Sequence, residues 1–93
     1  MTQIETMIEL SQCPLAILKF SAEWCHPCKT LASTLEEIDV PVLEIDVEED
    51  PDMAAKFRVR NLPTLYFFKN GEQVDKRVGN ISRTEIEEIL KSI

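Results

Sequence analysis

Residues 15–29, LAILKFSAEWCHPCK, decide how this chain is read. The first six, LAILKF, form an apolar run too short for a helix, and apart from Lys19 they read as a strand buried on both faces. Strands of that kind lie centrally in a sheet. Over residues 25–38, Leu31, Leu35 and Ile38 recur at helical spacing while Lys29, Ser33, Glu36 and Glu37 occupy the other side. A buried strand therefore turns directly into a helix, and Cys25 and Cys28 stand at the junction.

Working outward, Ile4, Met7 and Ile8 share one helical face, with Thr2 and Glu5 spaced as a capping box, so a short amphipathic helix is expected at the start. Pro14 closes that connection. Downstream, residues 42–47 (VLEIDV) read as a second strand. Asp50, Pro51 and Asp52 are the cap, first-position proline and acidic first turn of a brief helix through Phe57. Residues 64–69 (TLYFFK) are aromatic and strand-like, Asn70-Gly71 supplies a two-residue hairpin turn, and residues 73–78 return. Ser82 and Glu85 make another capping box ahead of the apolar stripe Ile86, Ile89, Leu90 and Ile93. One helix between each of the first three strands predicts parallel pairing, with right-handed crossovers. The sum is an α/β fold of helices on a mixed sheet, one domain over residues 1–93, without repeats or linkers.

Composition narrows the function. A chain of 93 residues with 44% hydrophobic and 29% charged content suits one modest core. No apolar run approaches the roughly 20 residues that span a bilayer, and Glu5 and Glu9 stand where a signal peptide carries positive charge, so a cytoplasmic protein is expected. The net charge of -7 repels nucleic acid and anionic lipid, leaving proteins as the expected partners. Three cysteines do not make a paired framework, and in a reducing compartment a close pair is catalytic or metal-binding before it is a staple.

At a helix N-terminus, unpaired N–H groups and the positive end of the dipole favour a thiolate on Cys25. Three residues on, Cys28 returns to the same face, within the separation a disulfide tolerates. Pro27 falls early in the helix, where its missing N–H costs nothing and its fixed φ stiffens the turn. Two other readings stand beside this one. The pair could be half of a zinc site completed by Cys13 and His26, although His26 lies between the cysteines and would have to fold back within its own loop. It could also be two small hydrophobes in a core, against which Trp24, His26 and Pro27 argue for an exposed, structured turn.

The stretch FSAEWCHPCK over residues 20–29 resembles the active-site strand and turn of the thioredoxin family, with His26 where a glycine is usual. VRNLPTLYFFKNG over residues 59–71 resembles the segment carrying the family's cis-proline, and Val78-Gly79 its later substrate-groove glycine. Taken together from about Leu15 to the C-terminus, these motifs are specific. The resemblance implies a thiol-disulfide oxidoreductase acting on protein disulfides, with Cys25 as nucleophile and Cys28 as resolving thiol. Trp24, His26, Pro27 and a cis Pro63 would support the pair, and Ile45, Asn61, Leu62 and Gly79 would form a shallow groove for extended substrate. It further implies a monomeric reductant that needs no metal or organic cofactor and draws electrons from a thioredoxin-reductase-type donor. A zinc-holding or redox-incidental docking module is the alternative.

Four departures from the family pattern carry expectations of their own. Too little chain precedes the central strand for the usual first edge strand, which predicts four strands. Ser33 replaces a kinking proline, so the second helix should run straighter. Lys19 stands where the family keeps a buried carboxylate. It could act as a cation favouring a Cys28 thiolate, or equally snorkel to water from the sheet. Cys13 matches no family residue and reads as a quiet, partly buried thiol.

Overall fold

A computed structural model describes residues 11–93. The helix expected within residues 2–8 lies outside the described residues. Strand β1 (Leu15–Ser21) is central, as its apolar run predicts: Ala16, Ile17, Leu18 and Phe20 are all fully buried. Its neighbours are β2 (Val42–Asp46) on one side and β3 (Thr64–Lys69) on the other, with β4 (Glu72–Val78) outermost beside β3. Among the described residues the sheet thus has four strands, in the order β2-β1-β3-β4.

Because side chains alternate along a strand, β1 and β3 feed two cores at once. Ile17, Leu65 and Phe67 pack on one face with Leu31 and Leu35 of helix α1 (His26–Leu35) and Ile86 and Ile89 of helix α3 (Arg83–Ser92). Ala16, Leu18, Phe20, Tyr66 and Phe68 pack on the other with Ile45 and with Met53 of helix α2 (Pro51–Lys56). Phe57 joins this second core through its ring, with centroids 5.0 to 6.2 Å from Tyr66, Phe20 and Phe68.

Helix α1 is shorter than its apolar spacing predicts. Cys25 is its N-cap and the helix stops at Leu35. Ile38 still reaches the core, from the following turn, where its N–H donates to the Leu35 carbonyl at 3.1 Å. The stretch from His26 to Leu35 is unbroken across Ser33.

The predicted parallel pairing holds for β1 and β2, from Ile17↔Val42 to Ser21↔Asp46, but not for β3, which runs antiparallel to β1. A parallel return would carry the chain back along the sheet, about 23 Å for seven strand residues. The six residues of α2 rise only about 9 Å, and the loop after α2 stays at the same end, so the chain re-enters the sheet at the end it had just left, with Thr64 beside Phe20. That end is where β1 passes into α1, so the β2–α2 turn, the loop before β3 and the cysteine junction all meet there.

The β3–β4 hairpin turns through Asn70 at φ 53 and Gly71 at φ 85, closing Lys69↔Glu72 as a two-residue primed turn requires. A bulge shifts the register after Phe67 and leaves Val74 unpaired and exposed. Ser82 caps α3 by accepting the Glu85 N–H at 3.1 Å, and Asp50 caps α2 by accepting the Met53 N–H at 3.2 Å. The Glu85 carboxylate turns to Arg77, 3.6 Å away.

Candidate active site

The helix-capping position of Cys25 decides the geometry of the site. Its backbone is extended at φ -87 and ψ 100, and its sulfur accepts the Cys28 N–H at 3.2 Å. A cap usually offers an oxygen for this purpose. Here a sulfur takes the place, and the first turn of α1 presents an N–H donor to it. Cys25 and Cys28 form a disulfide with Cα atoms 5.3 Å apart. Both are nearly buried, at 4% and 2% exposure, in a small cluster with Ala22 on which Val47 and Leu62 pack. His26 and Pro27 follow as the exposed first helical residues, and Trp24 stands 67% exposed just before the pair.

The loop before β3 faces the pair from the other side. The Leu62-Pro63 peptide bond is cis, as the family resemblance implies, and Pro63 is fully buried. Thr64 Oγ1 donates to the Asn61 carbonyl at 2.6 Å, and the Gly79 N–H donates to the Pro63 carbonyl at 2.8 Å. These bonds tie Asn61, Pro63 and Gly79 into one structure. Gly79 has φ +89, while a Cβ built there would meet nothing within 4 Å. The requirement for glycine is therefore backbone conformation, not room.

Of the residues expected at the groove, Asn61, Leu62 and Gly79 are brought together around Pro63. Ile45, 6% exposed, belongs chiefly to the core of Phe20, Met53 and Tyr66 and borders a shallow surface pocket with Glu44 and Asp50, outside the cysteine cluster. Leu43, Ile45 and Val47 share one side of the chain by alternation, and it is Val47, just past the end of β2, that reaches the cysteines. The same period-two pattern in VLEIDV could have identified Val47 from sequence.

Lys19 does not snorkel. It is 3% exposed, donates from Nζ to the Cys28 carbonyl at 3.0 Å, and pairs with Glu44 Oε2 at 3.4 Å. Ser21 Oγ donates to the same carboxylate oxygen at 2.6 Å. Sequence reasoning misses Glu44 and Ser21 because their pairing depends on the β1–β2 register, which sets Lys19 opposite Glu44.

Cys13 is a half-buried free thiol packed against the second core, apart from the Cys25–Cys28 cluster. Among the described residues no group of three His, Cys, Asp or Glu side chains is arranged to hold a metal ion. None of the described helices is long and apolar enough to cross a membrane.

A family model for thioredoxin matches residues 4–92. The chain belongs to the thioredoxin family. It is 42% identical over 85 residues to a thioredoxin of Staphylococcus haemolyticus, covering 85% of this chain and 82% of that one. With a thioredoxin of Mycoplasmoides gallisepticum it shares 35% identity over 80 residues, covering 81% and 80%. Among solved structures, a mutant thioredoxin from Halobacterium salinarum superposes with a TM-score of 0.89 at 33% identity, covering 98% of this chain and 84% of that one. The thioredoxin fold, with its one parallel pair in a mixed sheet, is thereby established for this chain. So is its activity as a thiol-disulfide oxidoreductase with a redox-active Cys25–Cys28 pair.

Proposed function

We propose that the protein works as a reductant of protein disulfides, with Cys25 attacking and Cys28 resolving. The observation that carries this reading is the Cys28 N–H donated to the Cys25 sulfur at the head of α1. It favours negative charge on Cys25 specifically, because the Cys28 N–H points out of the helix end to the capping sulfur, while the Cys28 side chain sits within the turn. The Cys25 thiolate attacks one sulfur of a substrate disulfide and forms a mixed disulfide, releasing the other as a thiolate. Cys28, once deprotonated, attacks Cys25 and releases the second substrate sulfur. Two electrons pass to the substrate, and a reductase-type donor returns them to the pair.

The substrate segment lies extended along Asn61 and Leu62, flanked by Trp24, Val47 and Gly79. Among the described residues no hydrogen bond occupies the backbone N–H and C=O of Leu62, which leaves them for strand-like pairing. Exposed Trp24 supplies an apolar surface beside them. The protein acts as a single-domain monomer in the reducing cytoplasm. Two packed faces on one sheet support the first part, and the acidic charge and free Cys13 fit the second.

Trapping tests the order of attack. Cys25→Ser is expected to abolish disulfide reduction, whereas Cys28→Ser makes one attack and accumulates a mixed disulfide on Cys25, read by mass spectrometry after mixing with a disulfide peptide. Trapping on Cys28 in the Cys25→Ser protein, with none on Cys25 in the reciprocal variant, would reverse the assignment.

A further inference from the structure

Lys19 is a buried cation that the exchange reaction as described does not use. We propose that Lys19 is a positioning residue for the resolving step: its ammonium holds the Cys28 turn and stabilises the negative charge that Cys28 acquires as it attacks the mixed disulfide. This inference rests on the assignment of Cys28 as resolving thiol.

The placement argues for it. An ammonium has three protons; the Cys28 carbonyl and the Glu44 carboxylate take two. Lys19 also lines a cavity of about 420 Å³ together with Cys28. A buried charge at this position is costly unless it is paired, and Glu44 is the partner. The two charges do not cancel at Cys28, however. Lys19 is 3% exposed and its field acts through protein, whereas the Glu44 side chain is 58% exposed and its field is screened by water. The interior around Cys28 therefore sees a net positive source.

Other charged groups border the same cavities: Glu23 in the turn before Cys25, Lys29 and Glu36 on the α1 side, and Asp46 and Glu49 at the end of β2. All five are at the surface or half-buried, unlike Lys19, so water damps them more strongly.

In the step itself, Cys28 Sγ–H gives its proton to water. Its sulfur electron pair forms the bond to Cys25 Sγ, and the bond between Cys25 and the substrate sulfur breaks. The substrate leaves as a thiolate that solvent protonates. Lys19 transfers no proton in this step.

The test separates the two attacks. In a Cys28→Ser background, where only Cys25 reacts, Lys19→Met should leave the rate of mixed-disulfide formation within about twofold. With both cysteines present, Lys19→Met should slow release of reduced substrate from a preformed mixed disulfide by about tenfold at pH 7. The deficit should close towards pH 9, as hydroxide supplies the thiolate. Glu44→Gln, a surface-facing change that leaves the ammonium without its counter-charge, should shift alkylation of Cys28 in a Cys25→Ser protein towards lower pH, whereas Lys19→Met shifts it upwards. Lys19→Arg, which keeps the charge, should restore most of the rate. A Glu44→Gln profile that stays in place or moves upwards overturns the proposal even if Lys19→Met does not fold. So does a Lys19→Met protein that releases substrate at the original rate. Trapping on Cys28 instead of Cys25 in the single-cysteine proteins would overturn the order of attack itself, which is a different failure.

Discussion

His26 stands exposed at the first position of α1, next to the sulfur that caps it. An imidazolium there attracts the Cys25 thiolate of the reduced protein, while in the disulfide form it meets only the unfavourable end of the helix dipole. Charge on His26 therefore favours reduction. His26→Gln is expected to lower the reduction potential by on the order of 10 to 20 mV at pH 6, measured by equilibration with a thiol couple of known potential. An unchanged potential at pH 6 would show that solvent screens the imidazole completely. The cysteines, His26 and Pro27 are legible in sequence because their chemistry depends on neighbours within one turn. Lys19 is legible only as a question, since its answer depends on whether Glu44 stands opposite it in another strand. Ile45 and Val47 are told apart only in three dimensions for the same reason: their alternation is plain, but which of them packs on the cysteines is set where β2 ends.

At the scale of elements, local signals read well where the chain satisfies its own backbone. Ser82 before Ile86 announces the start of α3, and its hydroxyl accepts the Glu85 N–H. Ser82→Ala should cost about 1 kcal/mol of stability, seen as a lower denaturant midpoint with the slope unchanged. A loss below a few tenths would mean that water serves that end of the helix equally well. Asn70-Gly71 likewise specifies its own turn. The direction of β3 is not local. It follows from the path of α2 and of the loop after it, and the stretch between β2 and β3 is long enough for either direction.

For the whole molecule, the decisive feature is that β1 and β3 contribute to both cores. Leu65 and Phe67 pack with α1 and α3 while Tyr66 and Phe68 pack with α2 and Phe57, so neither face can loosen without disturbing strands that the other face needs. One cooperative transition is expected. In a chemical denaturant, the far-ultraviolet signal of the helices and the fluorescence of Trp24 should trace coincident curves for the oxidised protein. Separated midpoints would mean that the Trp24 end of the sheet opens on its own.

The outer strand β4 has a further consequence. An outermost strand offers its free backbone groups to any matching strand, and a flat apolar one invites stacking between molecules. Here that strand carries Glu72, Asp75, Lys76 and Arg77, and it buckles at Val74. A second copy approaching edge to edge would meet charges of both signs and a register that does not continue. The border along β4 is thus protected against the growth of an intermolecular sheet by addition of further strands.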